Sequence, residues 1–100
     1  MTTSPTPPAD DKRQALAAIL TTMPGNSCAA QCARIRAALS QFNLTTFEAM
    51  RQLDVYDPRA RVLQLRKAGE SIKTVWTRIP TESGDLHRVG LYVLAAGAPQ

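Results

Sequence analysis

The sequence predicts a single α+β domain in which helices come first and a β-hairpin closes the chain. Three observations carry that reading. The chain has 100 residues, enough for one modest core. Apolar residues recur at helical spacing as far as Gly69 and near every second position beyond it. Finally, two capped boundaries between Leu44 and Gly69 divide that stretch into a pair of short helices.

In chain order, residues 1–9 (MTTSPTPPA) hold three prolines and nothing apolar enough to pack, so an unstructured tail is expected. Residues 10–24 read as an N-terminal helix, opened by Asp10 and Asp11 and carrying Leu16, Ile19, Leu20 and Met23 on one face. Pro24-Gly25-Asn26 ends it. The main domain is expected over 27–95. Its first helix runs from about Ser27 to Ser40, with Cys28, Cys32, Ile35, Leu39 and then Phe42 on one stripe and Arg34 and Arg36 on the solvated side.

The next two helices form the centre of the domain. The first opens at Thr45-Thr46-Phe47-Glu48, where a threonine and a glutamate three residues later can cap each other's backbone amides. The second opens at Asp57-Pro58, an N-cap acceptor followed by proline at N1, and ends at Gly69. Only Asp54-Val55-Tyr56 separates them, which forces a steep crossing: a helix-turn-helix. Phe42, Phe47, Met50, Val62 and Leu65 are expected to meet the stripe of the first helix. Two β-rich runs follow, Ser71–Ile79 and Leu86–Leu94, joined by the turn-forming Pro80–Asp85. Three helices and a hairpin make the winged-helix arrangement. Ile72, Trp76, Tyr92 and Leu94 are expected to face inward, Trp76 and Tyr92 as core residues. Val75, Ile79, Val89, Leu91 and Val93 make an outer face too apolar to stay wet, covered either by the N-terminal helix or by a second subunit. Ala95–Gln100 is expected to fray.

Charge narrows the function. The net charge is +4, and from Pro58 to Arg78 the bases Arg59, Arg61, Arg66, Lys67, Lys73 and Arg78 face the single acid Glu70. A polyanionic partner fits that asymmetry. Cys28 and Cys32, four apart on a helix, suit free thiols better than a disulfide, and with the distant His87 they fall short of a metal set. His87 has no carboxylate or nucleophile at a recognisable spacing, and Gly69, Gly84 and Gly90 form no phosphate-binding loop, so neither enzyme chemistry nor a cofactor is expected. The absence of a leader-like or membrane-length apolar run points to the cytoplasm.

The segments LTTFEAMRQLDV, DPRARVLQLRKAG, SIKT and VGLYVL resemble a small winged helix-turn-helix family of phage and prophage proteins. The resemblance rests on Thr46, Glu48, Ala49, Ala60, Arg61, Val62, Leu65, Arg66, Lys67, Gly69, Ile72, Thr74, Tyr92 and Leu94. Asp54 stands in the turn where such motifs usually have glycine, and aspartate enters the left-handed region more readily than most residues. The resemblance implies double-stranded DNA as partner, no catalytic residues and no cofactor. The corresponding expectation is a transcriptional regulator or accessory factor of a phage or prophage, acting in a bacterial cytoplasm or nucleoid.

A helix-turn-helix reads DNA with its second helix in the major groove. With Val62 and Leu65 buried, the outward side of residues 58–68 carries Ala60, Leu63, Gln64 and Lys67. Gln64 suits adenine, Lys67 suits guanine, and Ala60 or Leu63 suits a thymine methyl. Arg59, Arg61 and Arg66 flank this side at positions suited to phosphates. Lys73, Arg78, His87 and Arg88 are the expected wing contacts. The alternative is a protein-binding or homodimeric module that uses the apolar outer sheet face or the N-terminal helix.

Overall fold

The computed structural model of the protein describes residues 9–95. Residues 1–8 of the expected tail and 96–100 of the expected frayed end lie outside the described residues. The elements are α1 (Ala9–Thr22), α2 (Cys28–Leu39), β1 (Leu44–Thr45), α3 (Thr46–Gln52), α4 (Pro58–Lys67), β2 (Ile72–Pro80) and β3 (Leu86–Leu94). This is an α+β winged helix preceded by an additional helix.

Local chemistry sets the boundaries. At α3, Thr45 Oγ1 accepts from the Glu48 amide at 3.0 Å while Glu48 Oε1 accepts from the Thr45 amide at 2.9 Å, a reciprocal capping box. Asp57 caps α4 ahead of Pro58. The other end of α4 closes with Gly69 at φ +108°, its amide bonded to the Arg66 carbonyl and the Glu70 amide to the Leu65 carbonyl, the paired bonds of a Schellman end. Asp54 takes φ +53°, the left-handed turn residue expected between α3 and α4.

The sheet is antiparallel with order β1-β3-β2. Its first strand was not legible in the sequence, because two residues are too few to show a period. Leu44 pairs with Tyr92 and Thr45 with Leu91, so this strand ties the start of α3 to the hairpin. Between β2 and β3 the register runs from Ile72 opposite Leu94 to Pro80 opposite Leu86. Ile35, Leu39, Leu44, Leu53, Val55, Val62, Leu65, Ile72 and Tyr92 form the core, joined by Leu16 and Ile19 of α1.

Four expectations are corrected. The buried side of α2 carries Gln31, Arg34, Ile35, Ala38 and Leu39, which leaves Cys28 exposed and takes Arg34 out of solvent altogether. Met50 is exposed and Phe47 half-buried, because Ala49 of α3 and Leu53 at its C-cap are the residues that enter the core. Trp76 faces the expected side of the sheet but is 58% exposed rather than core; on the outer face, expected to be covered, Val89 is buried while Val75 is 46% exposed. Among the described residues α1 does not lie chiefly over that face. This helix packs on α2 and α3, where Lys12 donates to the Asn43 carbonyl at 2.7 Å and pairs with Glu48 at 3.0 Å.

Arg34 is fully buried, with Nε donating to the Leu53 carbonyl at 2.7 Å, Nη1 to Met23 and Gly25 at 2.8 Å each, and Nη2 to Asp54 at 3.2 Å. Truncating it strands those carbonyls in the interior, each at a cost of about 1–3 kcal/mol. In urea denaturation, Arg34→Ala is expected to lose roughly 3 kcal/mol or more. Thr45→Ala, which removes one cap, should lose about 1 kcal/mol.

Candidate nucleic-acid interface

Pro58, Val62 and Leu65 sink one side of α4 into the core. On the opposite side Arg59, Leu63, Gln64 and Lys67 are exposed, the Gln64 amide oxygen accepting from the Cys32 thiol at 3.8 Å, and Ala60 lies between them half-buried. A row with two cations, an amide and an aliphatic side chain can meet both phosphates and base edges.

Two arginines of the same helix are engaged elsewhere. Arg61 points back toward α2, its Nη1 2.8 Å from Cys28 Sγ and its Nε buried without a hydrogen-bond partner. Its helical position, one step from Val62 and four from Leu65, turns it toward the neighbouring helix. Arg66 reaches the hairpin instead, with Nε donating to the Ile72 carbonyl at 2.8 Å and Nη2 to Thr74 Oγ1 at 2.9 Å. It therefore fixes α4 against β2.

The register sorts the expected wing residues onto two faces, since side chains alternate along a strand. Thr74, Trp76, Arg78, Arg88 and Tyr92 share the face that turns toward α4, while Lys73 and His87 lie on the other with Val75. Lys73 thus departs from the group formed by Arg78 and Arg88. Between α4 and the hairpin runs an open groove lined by Arg59, Leu63, Arg66, Thr74, Trp76 and Arg88. Trp76 is the member that sequence reasoning missed. Alternation gave its side of the sheet correctly, but Arg66 bonds β2 only as far as Thr74, and two residues later the indole has passed the bonded part of the helix.

At the hairpin tip, Arg51 of α3 lies 3.3 Å from Glu82 and over the Phe47 ring, so the loop is tethered to the first helix of the motif. A hydrogen bond from its own backbone amide, then the charge of Arg51, hold the Glu82 carboxyl below the usual carboxylate range. Among the described residues, no group of three or more His, Cys, Asp or Glu side chains is placed to hold a metal ion.

A helix-turn-helix whose second helix is exposed beside a hairpin is an arrangement that DNA-binding proteins use. The winged helix-turn-helix domain family matches residues 30–97, and the chain belongs to it. The matched stretch begins within α2 and leaves α1 outside. No curated protein and no solved structure matches the chain.

The cysteines offer a check on the packing of α2 against α4. Cys28 is exposed, whereas Cys32 is half-buried with its thiol 3.7 Å from the Arg61 carbonyl. Burial raises the Cys32 pKa; Arg61 opposes the shift and Cys28 adds to it. Because the raised value belongs to the folded state, its stabilising contribution is present below the ordinary thiol pKa and is lost as pH climbs through the folded one. Iodoacetamide labelling resolved by mass spectrometry should modify Cys28 first at every pH. The Cys32 adduct should appear only at more alkaline pH than in the urea-unfolded chain.

Proposed function

We infer that the protein binds double-stranded DNA sequence-specifically, with α4 in the major groove and the hairpin beside it as a wing. One observation carries this reading. Among the described residues the ion pairs engage Lys12, Arg36 and Arg51, while Arg59, Lys67, Arg78 and Arg88, gathered on α4 and the hairpin, have no acidic partner. Uncompensated cations on an exposed helix and the adjoining hairpin face suit phosphate on both sides of a groove. Within this site Gln64 and Lys67 read bases, Ala60 or Leu63 meets a thymine methyl, and Arg59 holds phosphate. Arg61 braces the helix against α2, Arg66 ties it to β2 within the groove, and Lys73 lies apart on the far face of the hairpin.

The resemblance to phage and prophage proteins supports a role as a transcriptional regulator or accessory DNA-binding factor in a bacterial host. A cytoplasmic or nucleoid location agrees with it. Among the described residues no helix is long and apolar enough to cross a membrane. No catalytic step is assigned.

Selection from a random duplex library should enrich one motif, and affinity for it should fall steeply as salt rises. Lys67→Ala should cost about 1–3 kcal/mol and relax the preference at one base pair. Arg59→Ala should weaken all sequences alike and lower the salt slope by about one. Electrophoretic mobility shifts across a salt series measure both, and affinity indifferent to salt would refute the assignment.

A further inference from the structure

In the groove between α4 and the hairpin, and on the hairpin beside it, two features stand apart from the reading helix. The first is an indole in water: Trp76 is 58% exposed although it shares its sheet face with the core residues Ile72 and Tyr92. The second is a concentration of like charge. Arg78 stands directly opposite Arg88 across the strands, an arrangement that costs stability unless an anion lies between or beside them. Neither has an acidic partner among the described residues.

The two features are joined. The Arg88 guanidinium lies over the Trp76 ring, 4.4 Å from its centroid. Trp76 in turn sits opposite Gly90, where the missing side chain leaves the nearest indole carbon 3.8 Å from the Cβ position. A stacked arginine loses little further freedom on binding and keeps its N–H edge open to a phosphate. The α4 side of the groove carries Arg59 and Leu63. One side of the trough is therefore a pre-ordered cation on an aromatic plate, and the other is a second cation on the helix.

A helix in the major groove and a hairpin over the neighbouring minor groove must straddle the sugar–phosphate strand that separates the two grooves. We propose that this trough seats that strand of the duplex, with Arg88 as a phosphate clamp pre-ordered by Trp76 and the indole edge against a deoxyribose. Trp76 is a positioning residue: it acts partly through Arg88 and partly by apolar contact with the sugar. The inference rests on the DNA-binding reading given above. It adds a backbone contact that sets how far the helix enters its groove.

Trp76 is the sole tryptophan of the chain, so its fluorescence reports the trough alone. The full chain is titrated at low salt with a fluorescein-labelled, mixed-sequence duplex two helical turns long, and anisotropy and tryptophan emission are followed together. Both signals should change over the same concentrations. Trp76→Ala should weaken binding by about tenfold, as the loss of one aromatic contact does, and Trp76→Phe should recover part of it. Arg88→Ala should weaken binding similarly and lower the salt slope by about one. The double variant should be far less than multiplicatively worse, because each residue acts through the other. Thermal melts of the variants verify that the fold survives.

A rise in anisotropy with unchanged tryptophan emission, or multiplicative effects of the two substitutions, would overturn this inference and leave the DNA-binding reading intact. No rise in anisotropy at low salt would remove both. Equal affinity and equal quenching with the isolated single strand would replace the duplex by single-stranded DNA as the occupant.

Discussion

The fold depends on one buried guanidinium. Arg34 receives no carboxylate; its partners are backbone carbonyls at Met23 and Gly25, just past the end of α1, and at Leu53 and Asp54, where α3 gives way to the turn. Those are the places where a helix leaves acceptors unsatisfied and carries its partial negative charge. A single side chain from α2 thus terminates two other helices at once. Because one of them is the first helix of the helix-turn-helix, the same contact holds the turn in which Asp54 adopts its left-handed backbone. The attachment of α1 and the crossing of α3 with α4 are consequently one structural decision.

From that junction the site is assembled outward. The turn sets the direction of α4; Val62 and Leu65 set its rotation; the Schellman end at Gly69 reverses the chain into β2. Arg66 then bonds back onto the strand it has just led into, at the Ile72 carbonyl and the Thr74 hydroxyl. On the far side, β1 pairs with β3 and Thr46 Oγ1 lies 3.4 Å from the Gly90 carbonyl. Both helices of the motif are therefore fastened to the hairpin, which fixes the backbone positions that carry the exposed cations.

Much of this was legible in the residues themselves. Thr45 with Glu48, Asp57 with Pro58, and Gly69 are local signals whose partners lie within a few positions, and each does in the structure what its type predicts. What escaped depends on distant partners. An arginine in α2 reads as surface because nothing nearby announces four carbonyls contributed from two other segments. Apolar periodicity put Cys28 on the inner stripe, but the inward side is completed by Gln31, Arg34 and the small Ala38, which a hydrophobicity count passes over. Strand alternation placed Trp76 on the correct face and missed its exposure, since alternation says nothing about how far the helices extend beneath a hairpin. For the site, the outward row of α4 followed from its two buried aliphatics, whereas the inward commitments of Arg61 and Arg66 required knowing what α2 and β2 offer them.

The bond from Arg66 to β2 has a mechanical consequence. With helix and hairpin fastened together, the span between them becomes, on the DNA-binding reading proposed above, a gauge that the duplex has to match. Any adjustment then falls on the duplex, through the width of its minor groove and the ease with which its base steps roll, and these vary with sequence even where no side chain touches a base. Selectivity would accordingly extend to base pairs lying between the two points of contact, where stiffness rather than hydrogen bonding decides.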